Sequence, residues 1–386
     1  MLHSLHIRNY RNLKNLHLEK TARVNLIIGK NNTGKTSLLE AIAIYAGNGN
    51  LHDLRHILES HGEFPSSRIR SDDGSDIEMI QYEALSSLFS NWKPGFTEEE
   101  SITIGEYENE PLNRERNISE DNGSSAEKPL RMKFVRFIEE TEKNAENIFY
   151  SRRKILQEDS KETDYQLGFQ ITDVGGQKFY NLRRDIFRNM GMAQNNSERY
   201  QLIKTANIDR QINGQLFDQI TLTDKEEYVI QALRIIEPDT ERIAFIESKD
   251  RRRERDAVIK LKNNPRIFPL KSMGDGINRI LTIILALVNS EDGYLLIDEF
   301  ENGLHYSVQA DLWEIVFFLA ERLNIQVFAT THSEDCISGF EKVLNKALTT
   351  ASGHLIRLDR IDGDIRQTSF DPEEMKLAGE KDIELR

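Results

Sequence analysis

Apolar and polar positions alternate at the start of the chain, with Leu5 and Ile7 on one face and Leu16 and Leu18 in a second run, before the unbroken apolar stretch Val24–Ile28. A period of two puts every other side chain on one face of a sheet, and a short continuous apolar run fits a strand buried on both faces. The pattern predicts a hairpin feeding a buried strand, then a helix over Ser37–Tyr45, which is rich in good helix formers. Between strand and helix lies Gly29-Lys-Asn-Asn-Thr-Gly-Lys-Thr36. From Gly47 to Ser90 no period dominates; Ile102–Ile104 reads as a returning strand, Leu130–Phe137 as a strand and Ile138–Lys154 as a polar helix. Tyr165–Ile171 alternates again before Gly175-Gly176, and the run to about Ile212 is polar and hard to read.

Order returns at Thr223-Asp-Lys-Glu226, a capping box in which the hydroxyl and the carboxylate satisfy exposed amides of a helix that stops at Pro238. Ile243–Phe245 and Val258–Leu261 read as strands around a charged connection, Ile277–Asn289 as a buried helix and Tyr294–Ile297 as a buried strand. Val308, Leu312, Ile315, Val316 and Leu319 recur at helical spacing, and Ile325–Ala329 is a further apolar strand. Ile356–Thr368 has the hairpin signal Asp362-Gly363 at its centre, and Asp371-Pro372 opens a last helix. Strands and helices at both ends of the chain predict an α/β fold. No internal repeat is visible.

Composition narrows this. The 386 residues leave room for two or three units, and 38% hydrophobic residues suffice for a core. The longest largely apolar run, Ile280–Val288, falls well short of the roughly 20 residues that span a bilayer, and Met1–Tyr10 carries no secretory pattern. A soluble cytoplasmic protein without a membrane partner is the expectation. The single cysteine, Cys336, rules out an intramolecular disulfide and a cysteine-rich zinc site, and packing is its expected role. The balance of 51 Lys+Arg against 64 Asp+Glu gives −13, so no chain-wide attraction to nucleic acid is expected. Ten acidic and two basic residues between Glu98 and Glu127 suggest an exposed loop or a mobile insertion. The strongest basic cluster, Arg251-Arg-Arg-Glu-Arg255, reads either as a solvated hairpin tip or as a phosphate contact, which leaves a nucleic-acid partner open.

The octet Gly29–Thr36 fits G-x-x-x-x-G-K-[ST] throughout. Gly29 and Gly34 let the backbone curl so that the N–H groups along Asn31, Asn32, Thr33 and Ser37 face phosphate oxygens. Lys35 then reaches the β/γ-phosphates of a nucleotide and Thr36 puts its hydroxyl on Mg²⁺. Tyr294-Leu-Leu-Ile-Asp-Glu299 ends a buried strand on two acids: Asp298 to hold the Mg²⁺ shell, and Glu299 to polarise the attacking water. Two acids at a strand end are often only solvated, and the pairing with the glycine loop favours chemistry. Upstream, Ser272, Gly274 and Gly276 precede the Ile277 helix, where bare amides and the helix dipole suit an anion, or where a plain cap and turn would serve. His332 follows the Ile325–Ala329 strand, where it either contacts a γ-phosphate or is structural.

The order glycine loop, Ser-x-Gly-x-Gly, Leu-Leu-Ile-Asp-Glu, Thr-Thr-His-Ser resembles that of the ATP-binding cassette (ABC) ATPases. The resemblance implies a P-loop head, a mixed sheet with flanking helices plus an antiparallel β subdomain. Lys35 and Thr36 then match Walker A, Asp298 and Glu299 Walker B, and His332 the switch histidine. Ser272, Gly274 and Gly276 match the signature loop that completes a partner's site in trans. ATP-dependent homodimers or higher assemblies and slow hydrolysis follow from the likeness, with ATP and Mg²⁺ as cofactors.

About 240 residues separate Thr36 from the signature loop, too far for a transporter cassette. Ile7-Arg-Asn-Tyr-Arg-Asn-Leu13 and Asp298-Glu-Phe-Glu-Asn-Gly-Leu-His305 look like the RecF, SMC and overcoming-lysogenization-defect (OLD) group, and within it like the stand-alone AAA-family ATPases of prokaryotic conflict systems, including the AriA ATPases of PARIS anti-phage defence. On this likeness residues 1–110 are the first part of the head, 111–215 an inserted, partly mobile α/β region and 216–386 the second part. Met273 and Asp275 depart from the usual signature, which implies slow turnover, and Gln81 is a candidate for the Q-loop glutamine, with a surface glutamine as the commoner alternative. Only 54 residues follow His332, so a Toprim-like nuclease or toxin effector is expected on a separate protein. The competing expectation is a RecF-like DNA-binding repair ATPase.

Overall fold

A computed structural model describes residues 1–64, 73–106, 129–143, 149–157, 159–188, 200–204, 210–247, 255–346, 351–370 and 374–375. β1 (Leu5–Tyr10) and β2 (Leu13–Leu18) form the expected hairpin, with Leu5 opposite Leu18 and Tyr10 opposite Leu13. The chain enters β3 (Val24–Ile28), buried at every residue, and then α1 (Lys35–Ala46). Helices α2 (Leu51–Ser60) and α3 (Gly74–Ser86) occupy the stretch that showed no period. β4 (Ile102–Gly105) pairs antiparallel with β1, and β5 (Leu130–Lys143) with β4.

The described residues of the segment Ile138–Lys154, expected as a helix, lie in two antiparallel strands. β5 runs on to Lys143 and β6 (Phe149–Ile155) returns along it, with Phe137 opposite Ile155 and Glu140 opposite Arg152. Opposite charges face each other across the two strands, Lys154 donating to Glu140 at 3.0 Å, so a run of polar residues is held by cross-strand pairs rather than by a buried helical stripe. β7 (Gln166–Asp173) and β8 (Gly176–Asn181) complete an antiparallel sheet in the order β2-β1-β4-β5-β7-β8, with β6 on β5.

β9 (Tyr200–Ile203) belongs to a different sheet. After α4 (Arg210–Ile220) and α5 (Lys225–Leu233), the strands β10 (Thr240–Glu247), β11 (Arg255–Leu261) and β12 (Ile267–Pro269) make a small antiparallel sheet. At the start of α5 the capping bonds fall one residue early. The Thr223 hydroxyl accepts from the Lys225 amide at 3.3 Å and the Glu226 carboxylate from the Leu222 amide at 3.4 Å. The remaining elements alternate: α6 (Asp275–Val288), β13 (Tyr294–Ile297), α7 (Tyr306–Arg322), β14 (Gln326–Thr330), α8 (Glu334–Leu344), β15 (Gly353–Ile361) and β16 (Asp364–Phe370).

The second sheet is mixed, in the order β16-β15-β3-β14-β13-β9. Its inner strands are parallel and covered on both faces, which is why they read as continuous apolar runs. Val24, Leu26 and Ile28 of β3 enter a core with α4–α8, whereas Ile27 enters a second core shared with α1, α2 and the antiparallel sheet. β13 and β14 divide in the same way, Leu296 and Phe328 facing the antiparallel sheet and Leu295, Ile297, Val327 and Ala329 the helices. Strands β5 to β8 therefore extend the sheet that begins at β1, while β9 adds an edge strand to the mixed sheet. The described strands within the stretch expected as an insertion belong to both sheets.

Cys336 is fully buried beside Thr331 and Trp313, and burial pushes its thiol up to about 12. Asp362 and Gly363 make the β15–β16 turn with positive φ at both, and Asp364 pairs with Lys14 at 2.7 Å. Much of the acidic stretch (107–127), residues 251–254 of the basic cluster and the Asp371-Pro372 helix start lie outside the described residues. Among the described residues no helix is long and apolar enough to cross a membrane.

Candidate functional site

The parallel strands β3, β14, β13 and β9 end side by side, so the residues just past their carboxyl ends meet along one rim. Past β3 the chain turns through Gly29 into a tight loop. A Cβ on Gly29 would collide with the Leu358 carbonyl oxygen; one on Gly34, at φ 87°, would lie 2.8 Å from Leu13 Cδ2 and 3.2 Å from Asn12 Nδ2. Only glycine meets both the left-handed backbone and the crowding. Lys35 is buried, and its ammonium donates to the carbonyl oxygens of Gly29 at 2.7 Å and Lys30 at 2.9 Å, while Thr33 Oγ1 donates to Lys30 O at 2.8 Å. Asn31 and Asn32 are exposed on the loop and Ser37 is half-buried in the first turn of α1. That turn carries no acidic residue and Gly34 caps it without a side-chain bond, so amides and dipole remain for an anion.

Asp298 follows β13, held by its amide bond to Ile203 O at 2.8 Å. Its carboxylate accepts from Thr330 Oγ1 at 2.8 Å and from Thr36 Oγ1 at 3.3 Å, so the loop and the acid meet as the sequence predicts. These oxygens suit a hard cation such as Mg²⁺. Glu299 is left-handed, φ 51°, which is uncommon for a residue with a Cβ. Two neighbours hold it there: its amide donates to Thr330 Oγ1 at 2.9 Å, and its carbonyl accepts from Arg279 Nη2 at 2.8 Å. His332 is half-buried, its amide tied to Glu301 Oε1 at 2.8 Å, and Thr331 donates to the same carboxylate at 2.7 Å.

Ser272, Gly274 and Gly276 lie apart from this cluster, at the start of α6. Ser272 is exposed in the short 3₁₀ turn Leu270–Met273 and donates to Pro269 O at 2.7 Å; Gly274 is exposed with φ 98°. Gly276 packs on the turn after Glu299, where a Cβ would lie 3.2 Å from Gly303 O. The link to the acids is Arg279, one helical turn further on. It is almost completely buried, and it donates to Lys204 O at 3.5 Å, Asp298 O at 3.0 Å and Glu299 O at 2.8 Å. Burial pulls its pKa down, against the raising effect of Asp298, Glu301 and Glu299.

Three contributors escaped the sequence reading. Thr330 was visible within Thr-Thr-His-Ser, yet nothing singled out the first threonine; Arg279 sat inside an apolar helix without a partner in sight. Lys204 follows β9, in a run with no periodicity, and the register of that strand with β13 brings it to the rim. Gln81 is not a surface residue: it is buried in α3, donating to Leu182 O and Arg184 O at 2.7 and 2.9 Å and accepting from the Ile186 amide. Behind the loop, Glu40 of α1 accepts from Tyr10 at 3.2 Å and pairs with Arg11 at 3.3 Å and His61 at 2.7 Å, and Arg11 also grips Glu63 through both terminal nitrogens.

A family profile described as AAA ATPase domain matches residues 1–337. An ATP/GTP phosphatase of Helicobacter pylori is 24% identical over 356 residues, 90% of this chain and 89% of that protein. The DNA replication and repair protein RecF of Rickettsia conorii is 51% identical over 49 residues, 12% of this chain and 14% of RecF. Among solved structures, an Smc head bound to the C-winged helix domain of ScpA aligns at TM-score 0.49 and 11% identity, covering 97% of this chain and 99% of that one.

Proposed function

The chain belongs to the AAA ATPase domain family and is an ATPase, and from there we propose that its P-loop head is of the ABC type, binds Mg²⁺·ATP between two copies of itself and hydrolyses it slowly. The carrying observation is the approach of the Thr36 hydroxyl to the Asp298 carboxylate at 3.3 Å, across 262 positions of sequence and beside the uncapped start of α1. Lys35 exchanges its loop carbonyls for the β- and γ-phosphates, and the amides from Gly29 through Asn31, Asn32, Thr33 and Gly34 to Ser37 cradle the remaining oxygens. Thr36 and Asp298 would hold Mg²⁺, which when bound neutralises phosphate charge. Glu299 takes the proton of the attacking water, and its fixed backbone sets where that carboxylate starts. His332 contacts the terminal phosphate, and Ser272, Gly274 and Gly276 of a second copy close the site over it.

The likeness to stand-alone ATPases of conflict systems supports a cytoplasmic sensor or scaffold of anti-phage defence, AriA-like, that controls a separate effector. Comparing particle mass with ATP and with ADP tests the core of the proposal, using Glu299→Gln to hold ATP unhydrolysed. ATP-specific dimers are expected, and normal turnover by that variant would remove Glu299 as the base. Titrating the ATPase rate with DNA at several salt concentrations separates this role from a RecF-like clamp, which predicts salt-sensitive stimulation.

A further inference from the structure

β9 pairs in parallel with β13, Ile203 beside Ile297, so the next residue, Lys204, stands level with Asp298. The Asp298 amide donates back to Ile203 O at 2.8 Å. Arg279 fastens the two chain ends together, donating to Lys204 O, Asp298 O and Glu299 O. The position of Lys204 is therefore fixed by the same contacts that fix the acids. Its side chain is half-buried, and among the described residues its ammonium has no hydrogen-bond or ion-pair partner. Burial lowers its pKa; the nearby Glu40 and Asp298 carboxylates oppose that and Arg11 adds to it. Glu40 does not need this cation, since Arg11 and His61 already pair with it.

A half-buried lysine without a partner is costly unless a bound anion completes it. Lys35 covers a nucleotide from the β3 side, and the strand order β3-β14-β13-β9 sets Lys204 three strands away, roughly 14 Å at the usual spacing, with Thr330 and Asp298 between them. Phosphoryl transfer is accelerated by cations on the terminal phosphate, where negative charge must be stabilised. We propose that Lys204 is a second cationic contact of the nucleotide, reaching the terminal phosphate of ATP from the flank opposite Lys35. The proposal rests on the reading of this rim as the nucleotide site.

The test is calorimetric binding of a non-hydrolysable ATP analogue and of ADP, both with Mg²⁺, to the full chain and to Lys204→Met, Lys204→Arg and Lys35→Ala. Lys204→Met is expected to weaken the ATP analogue by about tenfold to a hundredfold, the loss of one charge-assisted contact, and to leave ADP within about twofold. Lys204→Arg should recover most of the difference, and Lys35→Ala should lose both nucleotides together. Unchanged binding of the analogue by Lys204→Met, or equal losses for both nucleotides, would overturn the assignment. Should the methionine variant not fold, Lys204→Gln must show the same split between the two nucleotides. A wild-type chain that binds neither nucleotide would overturn the reading of the rim itself, and Lys204 with it.

Discussion

Two glycine turns each launch a helix in this molecule, and they are built in opposite ways. Gly34, before α1, is wedged against Leu13 and Asn12, and the lysine that follows is buried and bonded within its own loop. Gly274, before α6, has open space where a Cβ would go, and Ser272 beside it is exposed. Both helices begin without a side-chain cap, so both offer amides to an anion. The first loop is finished by residues of its own chain, whereas the second leaves Ser272 and Gly274 exposed. That contrast suits a head that holds a nucleotide alone and needs a second copy to enclose it.

The contrast can be broken in order of size. Lys35→Ala should abolish nucleotide binding and bring turnover to background, measured by calorimetry and phosphate release. Glu299→Gln should cut turnover by about 10²–10⁴-fold with ATP binding kept, as expected for loss of a general base. Ser272→Arg should leave ATP affinity of the single head within about twofold yet lower turnover on the order of 100-fold, with ATP-dependent association lost. An equal fall in affinity would mean that the signature loop serves its own head. Arg279→Met leaves buried carbonyls without a donor and should cost about 1–3 kcal/mol in urea unfolding.

The smallest effect concerns acid. Burial raises the carboxyl of Glu63, but its hydrogen bonds from Arg11 and Ser87 prevail and hold it below the ordinary glutamate range. A depressed folded value means that its stabilisation is complete above the unfolded value, about 4.3, and fades as pH falls through the folded one. Glu63→Gln should therefore lower the melting temperature by about 1–2 °C near neutrality and leave it unchanged at the acid end, which flattens the acid limb of the profile.

The readable parts of this fold were those whose signal is local. Val24–Ile28 and the octet after it needed no distant partner to be recognised, and Asp298-Glu299 followed from the short apolar run before them. Ile138–Lys154 failed because its polar residues are satisfied across strands, which a single strand cannot reveal. Helices α2 and α3 were obscured by scattered His, Ser and Gly residues. Thr330, Arg279 and Lys204 matter through register and close approach between β9, β13, β14 and α6, and those relations exist only once the sheet is assembled.

The place of β3 at the heart of its sheet has a cost during synthesis. Its neighbours are β14 and β15, with Val24 beside both Val327 and Gly353, so nearly the whole chain must leave the ribosome before this strand is flanked. At roughly 5–20 residues per second that is on the order of 15–60 s in which a fully apolar strand and its phosphate loop have no sheet to join. The β1–β2 hairpin next to it can form at once, and it is the first structure able to shield β3 from unwanted pairing while the rest is made.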